Sequence, residues 1–336
     1  MAGPILFFGE LLIRLTAPGN ELLMQSPTLN LHVGGAEANV AIGLARLGHA
    51  TRMVSVVPDN ALGRGTLSTV RSHGVDCSAV SQAPGRMGLY FLQVGAGLRS
   101  SEIVYDRAGS SFAQAGADAF DWDSLLAGAR LLHLSGITPA LGPQSAEHAL
   151  AAARAARRLG VPLSFDGNYR ALLWDAWNSD PRAILSELIG MADILFGNHR
   201  DLSLVLDRQF SGEGEDRRRE AAEAGFAAFP DLKLIASTAR HTVSADHHRI
   251  AARVDLRDGG YQTSETEVTG IVDRIGAGDA FAAGVLHAHL GGGDAKTMAE
   301  SGLALTCLKH SLPGDASLFG QGDIDAFMAG GLDVRR

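Results

Sequence analysis

The chain has 336 residues, of which 46% are hydrophobic and 20% are charged, and its formal net charge is -8. This composition is typical of a globular protein with enough apolar residues for a large core. The acidic balance excludes non-specific binding to nucleic acid, because phosphates require a basic protein surface. The length allows about two domains, or one large α/β domain with a smaller appendage.

The sequence carries no sign of secretion or membrane insertion. Its two cysteines, Cys77 and Cys307, lie far apart and lack metal-ligand spacing, which favours a reducing compartment. The first residues lack the basic segment and cleavage pattern of a signal peptide. No segment approaches the roughly 20 apolar residues that a membrane helix needs. We therefore expect a cytoplasmic protein with no membrane or nucleic-acid partner.

The first third of the sequence alternates short apolar runs with breaks that contain glycine or proline, which is typical of strands and turns. The runs that predict strands are 5–8, 11–16, 22–24, 29–33, 51–57, 87–94 and 102–105. Two helices are predicted among them, ending near Leu47 and Ser72, each close to a glycine.

From residue 130 onward, strands alternate with helical runs. The predicted strands are 130–134, 162–165, 193–196 and 232–236, and the predicted helices are 143–159, 181–191, 199–206, 215–229, 294–310 and 323–328. A small antiparallel set at 242–245, 249–254 and 261–266 interrupts this rhythm. The alternation predicts an α/β fold with a doubly wound, mostly parallel sheet flanked by helices. We predict a single domain over 1–336, with a small β-strand lid formed by insertions at about 11–33 and 86–111.

A glycine turn near the end of the sequence has the local chemistry of an anion site. Residues 268–272 favour a strand, Gly276-Ala277-Gly278 favours a turn, and an Ala-rich helix begins at Asp279. Unpaired amides at a helix start, together with the helix dipole, bind phosphate groups well. Asp279 can be a helix cap, or it can be a base beside a transferring phosphoryl group.

The longer string from Val272 to Phe281 resembles the C-terminal signature of the ribokinase-like (PfkB) carbohydrate kinases. The resemblance implies that Asp279 deprotonates a sugar hydroxyl and that the backbone of Gly276, Ala277 and Gly278 forms the anion hole. Gly34-Gly35 followed by Asn39 could be an ordinary strand-to-helix turn. The string also resembles the N-terminal signature of the same family, which implies contact with the sugar.

Two further strings resemble the 2-keto-3-deoxygluconate kinases within that family. Asp166-Gly167-Asn168-Tyr169-Arg170 follows a predicted strand, where open α/β sheets place ligands. There Arg170 can bind a carboxylate or phosphate bidentately, or simply be solvated. Tyr90, Tyr105 and Arg107 fall on the predicted lid strands, and the resemblance implies that they bind a keto-deoxy acid. Any single one of these tyrosines could instead be a plain strand residue.

The nucleotide side carries the weaker resemblance. Relatives have Asn-x-x-Glu where this chain has Asn198 and Asp201, so an indirect role for Asp201 at magnesium is expected, acting through water. Thr238 is expected at the phosphates, although a Gly-x-x-Gly common in relatives is missing beside it. Lys309 is expected at the nucleotide, unless it only complements the C-terminal dipole of its helix. The resemblance implies ATP and Mg²⁺ as cofactors and leaves room for a monovalent cation such as K⁺.

The sequence as a whole predicts an ATP-dependent kinase that phosphorylates the primary hydroxyl of 2-keto-3-deoxygluconate. One alternative is a kinase of the same fold for a neutral sugar such as fructose or ribose. A second is a non-catalytic sugar or nucleotide sensor. An NAD-binding oxidoreductase is disfavoured because no Gly-x-Gly-x-x-Gly opens the first βα unit. We also expect a homodimer that forms through the β lid.

Overall fold

The structure is a computed structural model that describes residues 3–330. Within that range the strands are β1 Ile5–Phe8, β2 Leu12–Thr16, β3 Asn30–Gly34, β4 Thr51–Pro58, β5 Asp76–Ala83, β6 Gly88–Gln93, β7 Glu102–Asp106, β8 Leu131–Ser135, β9 Leu163–Asp166, β10 Ile194–Phe196, β11 Leu234–Ser244, β12 His247–Leu256, β13 Gly259–Gln262 and β14 Thr266–Thr269. The helices are α1 Ala36–Arg46, α2 Ala61–Ser72, α3 Trp122–Leu126, α4 Pro143–Leu159, α5 Ala171–Trp174, α6 Pro181–Gly190, α7 His199–Leu206, α8 Glu215–Ala228, α9 Ala277–Leu290, α10 Ala295–Lys309 and α11 Gln321–Met328.

A ten-stranded sheet runs through the molecule in the order β13-β12-β11-β10-β9-β8-β1-β4-β5, and β14 pairs with β12. All pairings from β11 to β5 are parallel, and β12, β13 and β14 add an antiparallel edge. The predicted α/β fold with a mostly parallel sheet is confirmed. Parallel strands end at the same edge of a sheet, so the loops after β9 and β10 converge on one site with the second half of β11.

The antiparallel segment differs from its prediction. The residues predicted as separate strands at 232–236 and 242–245 form one strand, β11, that is continuous with the main sheet. Its first three residues are buried, whereas most of its second half is exposed, so the apolar pattern stops although the pairing with β12 continues. The exposed half of β11 is held as a strand by its backbone pairing with the next strand, β12, and its composition alone does not reveal this. The sequence analysis likewise did not predict β5.

Helices cover both faces of the sheet, and the side chains of β1 alternate between two cores. Ile5 and Phe7 pack on the side of α1 and α9, and Leu6 and Phe8 pack on the side of α4. Each large side chain buried in this way stabilises the fold by roughly 1.5–3 kcal/mol. The strand is therefore apolar at every position, as expected for a strand covered on both faces.

A separate four-stranded sheet has the order β3-β2-β6-β7. Its strands come from the two segments predicted as insertions, although residues 22–24, predicted as a strand, form a turn. The β2–β3 and β6–β7 pairs are antiparallel. The strands β2 and β6, which come from different insertions, are parallel. Leu12, Tyr90 and Leu92 form an apolar cluster against Ile275, so this sheet packs beside the glycine turn.

Among the helices between residues 3 and 330, none combines the length and the apolar character that crossing a membrane requires.

Candidate active site

A cavity of about 1140 Å³ lies between the small sheet and the carboxyl ends of the central strands. Most of the predicted site residues line it, and they come from both sheets and from the glycine turn. Those lining it are Gly35, Asn39, Tyr90, Tyr105, Arg107, Arg170, Asn198, Asp201, Thr238, Gly276, Ala277, Gly278 and Asp279. Asn39 and Asp279, 240 residues apart in the sequence, are thus brought into one site.

Gly276 makes the turn that begins α9. Its φ of 76° is in the left-handed region, which glycine adopts without strain. A Cβ at this position would lie 1.6 Å from the carbonyl oxygen of Asp315. Close backbone packing therefore requires glycine here. The amides of the first helical turn have no partner within α9, so this end of the helix offers hydrogen-bond donors and a positive dipole to an anion.

Asp279 does not act as the N-cap of α9, because Gly276 occupies that position. Its Oδ2 instead accepts a hydrogen bond of 2.7 Å from Nδ2 of Asn39. Burial raises the pKa of Asp279 to about 7, and the Asn39 bond and nearby Arg170 partly offset this effect. The half-buried Asp279 borders the cavity. A carboxylate with this pKa can accept a proton near neutral pH.

A buried ionic cluster joins the small sheet to the glycine turn. Arg14 on β2 donates to Oδ2 of Asp273 at 2.6 Å, and its Nε lies 3.1 Å from Oδ1 of Asp315. The hydroxyl of Tyr90 on β6 donates to Oδ2 of Asp315 at 2.7 Å. Tyr90, predicted to bind the substrate, lines the cavity, but its hydroxyl is engaged by Asp315. Within residues 3–330 the hydroxyl of the neighbouring Tyr105 has no hydrogen-bond partner, so it is free to meet a ligand.

Arg107 lines the cavity but carries a paired charge. Its Nε donates to Oε2 of Glu10 at 2.7 Å, and both side chains are almost fully buried. Ser110 donates to the other oxygen of Glu10. Replacing Arg107 would leave the Glu10 carboxylate buried without its cation, which is strongly destabilising. Arg107 is therefore a poor probe of substrate charge.

The other arginines that line the cavity have no carboxylate partner among residues 3–330, and three of them, Arg170, Arg240 and Arg274, interact with one another electrostatically through Arg240. The exposed Arg170 donates only to the carbonyl of Tyr169, at 3.2 Å. Burial lowers the pKa of Arg240, and the positive charges of Arg274 and Arg170 lower it further. A guanidinium group that is repelled by two others favours the binding of anions beside it.

Asn198 and Asp201 form the capping box that begins α7. Oδ2 of Asp201 accepts from the Asn198 amide at 2.8 Å, and the Asn198 side chain accepts from the Arg200 amide at 2.8 Å. Burial raises the pKa of Asp201. Burial also raises the pKa of the neighbouring Asp166, and the negative charges of Asp279 and Asp201 raise it further. No group of three or more potential metal ligands occurs among the described residues. These carboxylates suit Mg²⁺ that is held mainly by nucleotide phosphates and water.

The sequence profile of the pfkB family carbohydrate kinases matches residues 4–318. The chain belongs to the pfkB family of carbohydrate kinases. The predicted family is thereby confirmed, and with it the prediction that the protein is a sugar kinase.

The pfkB kinase is similar over nearly its whole length to proteins named for keto-deoxy sugar acids. It is 30% identical over 98% of both chains to a 2-dehydro-3-deoxygalactonokinase of Haloferax volcanii. It is 30% identical to a 2-dehydro-3-deoxygluconokinase of Thermoproteus tenax, over 91% of this chain and 88% of that protein. The crystal structure of the 2-dehydro-3-deoxygluconokinase of Thermotoga maritima has 33% identity and a TM-score of 0.92, covering 98% of this chain and 100% of that one.

Two predicted site residues of the kinase lie outside the cavity lining. Gly34 packs against Asp315, and a Cβ on it would lie 2.4 Å from Oδ2 of that residue. Lys309, which we expected at the nucleotide, is fully buried behind the glycine turn. Its ammonium donates to the carbonyl oxygens of Leu312 at 3.0 Å and Asp273 at 3.4 Å.

The sequence analysis missed Glu37, which lies two residues before Asn39 on α1. Its side chain is fully buried, and its Oε1 accepts from the hydroxyls of Ser135 at 2.7 Å and Thr138 at 2.8 Å. Burial raises the pKa of Glu37, and its charge in turn helps to raise that of Asp279. The sequence does indicate that Glu37 is unusual, because it is an acidic residue on an otherwise apolar face of a predicted helix.

Proposed function

We propose that this kinase transfers the γ-phosphoryl group of ATP to the primary hydroxyl of 2-keto-3-deoxygluconate. The observation that carries the proposal is Arg170, an unpaired and exposed guanidinium that lines the same cavity as Asp279. A sugar acid needs a cation for its carboxylate, whereas a neutral sugar does not. The kinship with proteins named 2-dehydro-3-deoxygluconokinase supports the same substrate class, because 2-dehydro and 2-keto denote the same group.

In the proposed reaction Asp279 accepts the proton of the sugar hydroxyl. The hydroxyl oxygen forms a bond to the γ-phosphorus while the bond from that phosphorus to the bridging oxygen of ADP breaks. Asn39 holds the carboxylate of Asp279 toward the cavity. The amides of Gly276, Ala277 and Gly278 then donate to the oxygens on which negative charge develops. The small sheet is proposed to close over the substrates and exclude water, which limits hydrolysis of ATP.

For the nucleotide side we propose Asn198, Thr238 and Asp201, which line the same cavity as the glycine turn. Bound with ATP, Mg²⁺ would neutralise phosphate charge, and Asp201 would orient its water ligands through the oxygen not used in the capping box. Arg240 and Arg274 are further candidates for the phosphates because they lack carboxylate partners among residues 3–330.

The homodimer through the β lid stays a prediction. Its support is the outer surface of the small sheet, where Leu31 and Val104 are exposed. These residues lie on β3 and β7, the two edge strands of the small sheet, and exposed apolar side chains there favour contact with another protein surface.

The substrate proposal is tested by measuring ADP release with a panel of sugars. The panel contains 2-keto-3-deoxygluconate, its galactonate epimer, 5-keto-2-deoxygluconate, fructose and ribose. We expect the highest kcat/KM with 2-keto-3-deoxygluconate. A higher value for the epimer would change the stereochemical assignment, and a higher value for fructose would overturn the sugar-acid proposal. Binding without turnover of any sugar would favour the sensor alternative.

We predict that Arg170→Gln raises the KM for 2-keto-3-deoxygluconate. A hydrogen bond between charged groups contributes about 1.5–3 kcal/mol, so the increase should be about 10- to 100-fold. The KM for ATP should change little if Arg170 binds the sugar carboxylate. Arg154→Gln is a suitable control, since its ion pair with Glu187 on the surface stabilises little. Lower kcat with an unchanged KM for the sugar would instead assign Arg170 to the transferring phosphate.

The pH dependence of the reaction should report Asp279. Because a base must be unprotonated to act, we expect kcat/KM to rise with pH through about 7, the pKa of Asp279, and to level off above it. Asn39→Leu removes the donor that stabilises the charged carboxylate, so the pKa of Asp279 should increase and the rise should move to higher pH. A rise at unchanged pH in Asn39→Leu would contradict the assignment of this limb to Asp279.

A further inference from the structure

Lys309 is a fully buried cation without a role in the reaction proposed above. The chain has only three lysines, Lys233, Lys296 and Lys309, and the other two have exposed side chains in surface ion pairs. Lys309 is the last residue of α10. Its ammonium donates to the carbonyl oxygens of Leu312 at 3.0 Å and Asp273 at 3.4 Å. A strongly hydrated ammonium is not buried without such compensation.

The groups that hold Lys309 also form the support of the glycine turn. Oδ1 of Asp273 accepts from the Ile275 amide at 2.9 Å, directly before Gly276. Oδ2 of Asp273 accepts from the Gly314 amide at 3.0 Å, which joins the turn to the loop that follows α10. The carbonyl of Asp315 in that loop packs against Gly276. The ammonium thus bridges the two backbone segments, at Asp273 and Leu312, whose contact sets the position of the turn.

The charges around Lys309 are balanced. Burial lowers the pKa of Lys309, and the carboxylates of Asp273 and Asp315 favour its positive charge against this effect and against the repulsion from Arg14. Arg14 pairs with both carboxylates, so the cluster holds two cations and two anions. Lys309 also lies close enough to Asp279 for their charges to interact. Its positive charge therefore acts on the same region in which the phosphoryl group would be transferred.

We propose that the Lys309 ammonium takes the place of a bound monovalent cation and makes this kinase independent of K⁺. An ion of that kind beside the glycine turn would need backbone carbonyl and carboxylate oxygens as ligands. The suitable oxygens at the turn, the carbonyls of Asp273 and Leu312, already accept from Lys309. The ammonium of a side chain supplies the same charge and similar contacts, and no ion has to bind from solution. Lys309 is thus a positioning residue that acts through the turn.

This inference rests on the proposed kinase reaction, and its test compares ions on a sugar that the wild-type protein phosphorylates. Turnover is measured in tetramethylammonium chloride at constant ionic strength, with K⁺, Na⁺ or NH₄⁺ exchanged in. The wild-type rate should be the same in all four salts. Lys309→Met should lose at least about 10-fold in kcat, and NH₄⁺ or K⁺ should restore a large part of it. Lys296→Met, on the same helix with an exposed side chain, should behave as the wild type.

Stimulation of the wild-type rate by K⁺ of several-fold would overturn the inference. A folded Lys309→Met protein whose lost activity no cation restores would also overturn it, because Lys309 would then be a purely structural residue. Thermal unfolding gives a readout that needs no turnover: NH₄⁺ should raise the Tm of Lys309→Met and leave that of the wild type unchanged. The Tm measurement still tests the role of Lys309 if no keto-deoxy acid is a substrate. A wrong substrate proposal can therefore be told apart from a wrong assignment of Lys309.

Discussion

Asp279→Asn should fold normally and lose turnover by about 10²–10⁴-fold, the usual effect of removing a general base. The amide cannot accept the hydroxyl proton, whereas its shape and the position of Asn39 next to it are preserved. ADP binding should be retained, since the glycine turn is unchanged. The measurements are single-turnover phosphorylation and calorimetric titration with ADP.

Stability provides the control for this substitution. Burial raises the pKa of Asp279 to about 7, so the folded protein binds the proton more tightly than the unfolded chain. The stability that this bound proton provides is therefore lost as the pH rises from about 4, near the pKa of the unfolded chain, to about 7, the pKa in the folded protein. Asp279→Asn should raise the Tm at pH 8 by about 2 °C and have a smaller effect at pH 5. Asp118→Asn, in an exposed loop, should change neither property. Near-normal turnover of Asp279→Asn would refute its role as the base.

Gly276→Ala should damage both stability and activity. The new Cβ would lie 1.6 Å from the Asp315 carbonyl oxygen, on a residue with a φ of 76°. The backbone must move, because a carbonyl in a packed loop cannot rotate away as a side chain can. We expect destabilisation by at least about 2 kcal/mol and a Tm lower by about 4 °C or more. Displacement of the anion-hole amides should lower kcat by at least about 10²-fold.

Gly278→Ala is the matched control, in the same turn and two residues away. A Cβ on Gly278 would meet no atom within 4 Å. The variant should keep the wild-type Tm within about 1 °C, although its methyl group can still affect ligand binding. Equal losses of stability in both variants would show that glycine is required at both positions for a common reason, and the contact with Asp315 would no longer explain Gly276.

The turn itself and its chemistry could be read from the sequence. Glycines at 276 and 278 before an Ala-rich run allow few local structures other than a turn and a helix start, so the anion site follows from short-range rules. Two helices could also be read from local signals. Helix α4 begins at Pro143 and ends before Gly160, and Asn198 is the N-cap of α7. Local signals of this kind are sufficient because the interactions they report span only a few residues.

The tertiary structure decided which charges are available to a ligand. Arg107 and Arg170 are equally plausible cations in the sequence, yet Glu10, 97 residues from Arg107, neutralises the first and leaves the second unpaired. Arg14 meets Asp273 across 259 residues, and no local pattern indicates such a pairing. Ion pairs form between groups that the fold brings together, whatever their separation in the chain.

The sequence by itself determined the fold class, the family and the presence of a glycine turn at a helix start next to Asp279. Only the tertiary structure decided that the pKa of Asp279 lies near 7, because that pKa depends on burial and on Asn39. It likewise placed Lys309 behind the turn instead of in the cavity. The physical reason is common to both cases: burial and the electrostatic field at a side chain are properties of its neighbours in space, and most of those neighbours are distant in sequence.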